Sequence, residues 1–194
     1  MTMTRERYLA KDPNVPPPRP TKRWKPPGEA RGARKIGFRS KGSGRAALQV
    51  NGFREGAESE LELDALLWIL AQEDVVDVIS QSPQVTYRGL DGKQHKFTFD
   101  FNSLHEDGTR TAHSVKPEAF LEKSRIKEVH SLLQRQMSPS VANRINLITE
   151  EKLAEEDRFN AELIYTAGRF PVQECDVTAT ERIVTAFGNF TCRG

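Results

Sequence analysis

The chain predicts an α/β domain in which helices flank a mixed central sheet, with an extended basic arm in front. Three observations lead there. Residues 1–46 are rich in proline and glycine, helical and period-two apolar runs alternate from residue 59 onward, and glycine turn signals separate those runs. At 194 residues the chain has room for one core and an appendage.

The arm separates itself by charge. Residues 1–46 hold 13 Lys and Arg against three acids, a net of +10, whereas residues 47–194 hold 16 against 24, a net of −8. Seven of the 11 prolines lie in the arm, including Pro16-Pro17-Pro18 and Pro26-Pro27. No apolar face repeats there, so the arm by itself is expected to stay extended and to take its order from a partner. Lys22, Arg23, Lys25, Arg34, Lys35, Arg39, Lys41 and Arg45 are its candidate contacts to DNA phosphate or to an acidic protein face. Trp24 and Phe38 among these bases favour docking over the alternative of a solubilising tail. No apolar run approaches the roughly 18 to 20 residues that cross a bilayer, and no secretory signal pattern opens the chain, so no membrane partner is expected. Cys175 and Cys192 lack CxxC spacing and read as free thiols of a reducing compartment rather than zinc ligands.

In the body, Leu61, Ala65, Leu66, Leu67, Trp68, Ile69 and Leu70 predict the first core helix, opened at Ser59. Val75–Ile79 and Gln84–Tyr87 read as short strands. The turn Gly89-Leu90-Asp91-Gly92 leads into a strand over 96–101, in which Phe97, Phe99 and Phe101 alternate with Thr98 and Asp100, giving a hairpin. A turn at Glu106-Asp107-Gly108 precedes a strand over 110–115, and Pro117 opens a helix to about Gln136. A short buried strand over 144–148, a helix over 150–167 and a shorter helix over 178–188 complete the reading. The domains expected are the arm at 1–46, the core at 47–150 and a helical extension at 151–194.

This order brings three polar residues to positions that suit metal-assisted phosphodiester cleavage: Glu62, Asp100 and Lys116. Asp100 ends one strand and Lys116 ends the next, 16 residues on, and neighbouring strand ends bring such side chains together. Glu62 precedes Leu66 by four and Ile69 by seven, so it lies on their apolar stripe, where an ionised carboxylate must be paired or bound. Carboxylates suit Mg²⁺ or Mn²⁺, and a lysine beside them suits an attacking water or a phosphate. A structural reading stands beside this one, because Ser59 and Glu62 also have the spacing of a capping box. His95, His105, His113 and His130 are scattered and read as solvated or core residues, with His113 near enough to Lys116 to reach phosphate.

At these residues the sequence resembles the N-terminal catalytic domain of the TnsA family of transposon-end endonucleases, whose core is a PD-(D/E)xK, restriction-endonuclease-like fold. The resemblance runs over roughly residues 55–150. It rests on Ser59-Glu60-Leu61-Glu62-Leu63-Asp64, Val75-Val76-Asp77-Val78-Ile79-Ser80-Gln81-Ser82-Pro83, Tyr87, Phe97-Thr98-Phe99-Asp100-Phe101, Ser114-Val115-Lys116-Pro117 and Asn146-Leu147-Ile148-Thr149-Glu150. It implies Glu62, Asp100 and Lys116 as catalytic residues, and Glu62, Asp100 and the Val115 carbonyl as metal ligands. It also implies DNA as substrate, with a transposase as protein partner. Phe99 stands where the family has proline, and Ser114 where it has Glu or Gln.

Two other readings stay open on the same residues. One is a docking component of a virus particle at the head-to-tail neck or portal. The other is an accessory DNA-binding subunit of a transposase. The compartment expected is accordingly a bacterial cytoplasm or a virion. Loss of residues 1–46 is expected to weaken assembly or DNA affinity rather than domain stability.

Overall fold

A computed structural model of the protein describes residues 26–34 and 46–169. The shorter helix expected over 178–188 and both cysteines lie outside those residues. The body opens with a hairpin, β1 (Ala46–Val50) and β2 (Phe53–Ala57), joined at Asn51-Gly52. Both turn residues have positive φ, 48° and 85°, the geometry of a two-residue hairpin turn and one that Asn-Gly adopts readily. Helix α1 (Glu60–Leu70) follows, capped by Ser59.

The central sheet is mixed. Its strands are β3 (Val75–Ser80), β6 (Phe101–His105), β7 (Arg110–Val115) and β8 (Arg144–Ile148), in that order, antiparallel except for the parallel β7–β8 pair. A separate hairpin, β4 (Gln84–Arg88) and β5 (Gln94–Thr98), is inserted between β3 and β6. The parallel pair needs a crossover, supplied by a 3₁₀ turn at Glu118–Phe120, α2 (Leu121–Ser124) and α3 (Ile126–Gln136). The single helix expected from Pro117 is thus broken, because Arg125 sits at φ 51° and interrupts the ladder between α2 and α3. A second 3₁₀ turn at Glu150–Lys152 precedes α4 (Glu155–Arg169).

Each face of the sheet buries its own core. Ala65, Leu66 and Ile69 of α1 pack on Val78, Phe101, Val115 and Ile148, with Leu153 beside them. On the other face Phe99 and Ala112 pack on Leu133 of α3 and on Ala142, with Phe97 and Tyr87 of the hairpin at the margin. The single strand expected over 96–101 is therefore two strands. Phe97 and Phe99 serve one core and Phe101 the other, so the chain changes face at Asp100.

Part of the arm is fastened to this body. Gly28 bridges β2, donating its N–H to Gly52 O (2.8 Å) and accepting from Arg54 N (3.0 Å). Arg31 donates from Nε to Glu55 Oε1 (2.9 Å) and forks onto both oxygens of Asp77 at 2.6 and 3.0 Å, with its guanidinium 4.4 Å above the Phe53 ring. Glu55 is fully buried, and its second oxygen accepts from Ser80 N and Ser80 Oγ, both at 2.7 Å. Such a carboxylate is stable in an apolar setting only while every partner is present. Gly32 passes so close to β3 that a Cβ there would lie 2.2 Å from Ser80 O. The order of residues 26–34 therefore comes from the chain's own β2 and β3, which corrects the expectation that a partner must supply it.

Candidate active site

The break at Asp100 creates the site. With Phe99 and Phe101 fully buried in opposite cores, Asp100 is held between them by two main-chain bonds, N–H to His113 O (2.9 Å) and O from Gln81 N (2.6 Å). Its Oδ2 accepts from the N–H of Val115 at 2.7 Å, which lays the carboxylate across the end of β7. Lys116, the next residue, donates its own N–H to Ile148 O (3.0 Å) and so stands where β7 and β8 end side by side. Among the described residues its Nζ has no hydrogen-bond or ion-pair partner.

Glu62 reaches this end of the sheet from the first turn of α1. The capping spacing is realised: Glu62 N donates to Ser59 Oγ (3.2 Å), and Glu62 Oε2 accepts from Glu58 N (2.8 Å), one residue before the cap. That leaves Oε1 uncommitted among the described residues, so the cap and the site are compatible roles of one side chain.

The charges act on one another. Burial pushes the Asp100 carboxyl above its usual range; the Val115 N–H, Lys116 and Arg34 oppose that shift, and Glu58 adds to it. Burial likewise raises Glu62, with Asp100 and Glu58 adding while the Glu58 N–H and Lys116 oppose. Glu62, Asp100 and Lys116, singled out in the sequence, thus lie close enough for their charges to act on one another, and burial outweighs Lys116 in setting both carboxyls.

Other expected members fare differently. Val115 meets Asp100 through its N–H, while its side chain lies in the core. Ser114 is fully buried with its Oγ on His130 Nε2 (2.9 Å), so it offers no oxygen outward. His113 is 4% exposed and bonded to Ser103 Oγ, so it is a core histidine, as expected first, and does not have the expected reach to a phosphate. Of the eight arm bases only Arg34 is described, and it turns onto the body: Nε donates to Gln81 Oε1 (3.0 Å) and one terminal nitrogen to Glu58 Oε2 (2.7 Å). Lys22, Arg23, Lys25, Lys35, Arg39, Lys41 and Arg45 lie outside the described residues.

Glu58, Gln81 and Arg34 as neighbours of Asp100 are what sequence reasoning missed. Gln81 is buried at φ 51°, outside a glycine, and its Nε2 has no hydrogen-bond partner among the described residues. No local pattern marks such a residue. The Asn51-Gly52 turn, by contrast, was a readable signal for the hairpin that carries Glu55.

Among the described residues no group of three His, Cys, Asp or Glu side chains lies together in the way a dedicated metal cage needs. The donor set nonetheless fits Mg²⁺ or Mn²⁺. Magnesium is commonly held by one or two carboxylates with waters and substrate oxygens completing the shell, and Asp100 and Glu62 each keep one oxygen uncommitted by any bond to the described residues. No known family matches the sequence, and no characterised protein matches it at a significant level. Among the described residues no helix is long and apolar enough to cross a membrane.

Proposed function

We propose that this chain is a metal-dependent DNA endonuclease with a restriction-endonuclease-like core of the TnsA kind, working within a larger nucleoprotein assembly. The observation that carries the reading is the convergence of Glu62, Asp100 and Lys116 at one end of the sheet, with both carboxyls held above their usual range and Lys116 Nζ without a partner among the described residues. Support for the fold comes from the order helix, three antiparallel strands, helix, then a strand parallel to the third.

Asp100 and Glu62 would hold Mg²⁺ or Mn²⁺, and such an ion supplies Lewis acidity and lowers the pKa of a bound water. Lys116 orients the attacking water and offsets charge building on the phosphate. Water oxygen bonds to phosphorus, the bond from phosphorus to O3′ breaks, and O3′ takes a proton, leaving a 3′-hydroxyl and a 5′-phosphate. Incubating supercoiled and linear DNA with the protein and Mg²⁺ or Mn²⁺ tests this. Nicking by the wild type that Asp100→Ala lacks is the expected result, and equal cutting by Asp100→Ala removes the site.

A second reading is favoured by one observation. Ser114 is committed to His130 and contributes no ligand where the resembling family has Glu or Gln. On that reading the same fold serves as a docking component at a viral neck or portal, or as a DNA-binding subunit beside a transposase. Metal-independent assembly with no cleavage by the wild type is its signature.

A further inference from the structure

We infer that Arg34, delivered to the site by the docked segment 26–34, is a phosphate-binding residue that grips the DNA strand beside Asp100. The inference rests on the nuclease reading for its substrate. Its support is geometric.

The segment is fastened upstream by Gly28 on the hairpin and by Arg31 on Glu55 and Asp77. Gly32 then lies against Ser80 O, and Ala33 donates its N–H to Gln81 O (3.0 Å), which fixes the backbone immediately before Arg34. Arg34 Nε is bonded to the side chain of Gln81, and Gln81 N–H in turn holds the Asp100 carbonyl at 2.6 Å. One residue therefore positions both the guanidinium and the aspartate.

A guanidinium carries five N–H donors in a planar fork. Gln81 and Glu58 take one each, and the remaining three have no acceptor among the described residues. The side chain is 54% exposed, so those donors are open to a ligand. Its charge also acts on Asp100. An ordinary surface ion pair with Glu58 is the simpler account, but such a pair contributes little and needs no anchored backbone behind it. An oriented, half-open guanidinium whose charge reaches Asp100 suits bidentate capture of a phosphate.

The test uses the full chain and compares wild type, Arg34→Ala, Arg34→Lys and Asp100→Ala. Three readouts are taken: Mn²⁺-dependent cleavage of a DNA duplex, binding to that duplex in Ca²⁺ at several salt concentrations, and thermal melting. Arg34→Ala is expected to lower kcat/KM about tenfold or more, to reduce the salt slope of binding by about one, and to leave melting nearly unchanged. Arg34→Lys should restore the slope but only part of the rate, because a point charge does not reproduce the fork. If Arg34→Ala cleaves and binds as the wild type does while Asp100→Ala is dead, the inference falls and the nuclease reading stands. A wild type that never cleaves, but loses DNA affinity on Arg34→Ala, means the opposite: the phosphate contact stands and the catalytic reading falls. Absence of both effects overturns both.

Discussion

The β6–β7 pair carries two polar clusters of opposite character, a closed one that starts at its hairpin end and runs inward along the strands, and an open one at the end marked by Asp100. In the closed one, Asp74 Oδ2 meets His105 Nδ1 (2.8 Å), His105 Nε2 meets Ser103 Oγ (3.1 Å) and Thr111 Oγ1 (3.0 Å), and Ser103 Oγ meets His113 Nε2 (2.9 Å). Asn146 closes the chain on His113 Nδ1 at 3.3 Å. In the open one, Asp100 and Glu62 each keep an uncommitted oxygen and Lys116 Nζ has no partner among the described residues. The residue types in the closed cluster, Asp, His and Ser, look more like catalysis than those in the open one. Yet Ser103 is fully buried, so no substrate reaches it. Residue chemistry alone therefore misleads, and what separates a site from a core network is whether donors and acceptors are left over where solvent can reach.

The largest effect expected from breaking this contrast is on cleavage. Asp100→Ala and Lys116→Ala should each lower metal-dependent cutting roughly 10³-fold, read by gel assay, with the melting temperature held or raised in Asp100→Ala and lowered in Lys116→Ala, which loses the cation facing both carboxylates. Next is a network that is closed yet lies beside the open end. Arg31→Ala leaves the buried Glu55 carboxylate without its cation and should cost about 3 kcal/mol in urea unfolding, whereas joint replacement by Arg31→Met and Glu55→Leu should recover most of it. That outcome would revise the expectation that loss of residues 1–46 spares domain stability. Smaller again, Ser103→Ala should cost about 1 to 2 kcal/mol and leave cleavage unchanged. A loss of cutting in Ser103→Ala would erase the distinction between the two clusters.

The subtlest effect is on pH dependence, where the closed and open clusters have opposite signs. Burial, with His105 nearby, lowers His113 from 6.5 to about 4, so its contribution to stability is present above pH 6.5 and is lost as pH falls towards about 4. Asp100 and Glu62 are raised, so the folded state binds their protons more tightly than the unfolded chain does. Their contribution is greatest at low pH and is lost as pH rises through the folded values. Melting curves across pH should show His113→Asn flattening the acid limb and Asp100→Asn raising stability near neutrality. Identical pH profiles for wild type and both variants would contradict the assignment.

Much of this was legible in the sequence because it depends on local period. The apolar spacing of α1, the turn at Gly108, and the strands leading to Val115 and Ile148 are short-range patterns, and the structure follows them. Asp100 and Lys116 were visible for the same reason, as polar residues ending apolar runs. The break at Asp100 was not, because the alternation of Phe97, Phe99 and Phe101 continues unchanged while the face it serves switches. Nor was the break at Arg125, where Lys123-Ser124-Arg125-Ile126 contains no glycine or proline to mark a left-handed residue. Arg31 and Arg34 were hidden by distance: their partners Asp77 and Gln81 lie 46 and 47 residues away, and a basic run carries no mark of which cation will turn inward.

That distance also orders events during synthesis. Among the described residues, the groups that fasten residues 28–34, namely Gly52, Phe53, Arg54, Glu55, Glu58, Asp77, Val78 and Gln81, are all downstream of them. A segment that leaves the ribosome early must wait until the chain beyond Gln81 has emerged before it can settle, and long-range contacts of this kind close late. Arg34 is therefore among the last groups to join the site, although it is among the first of the site's residues to be made.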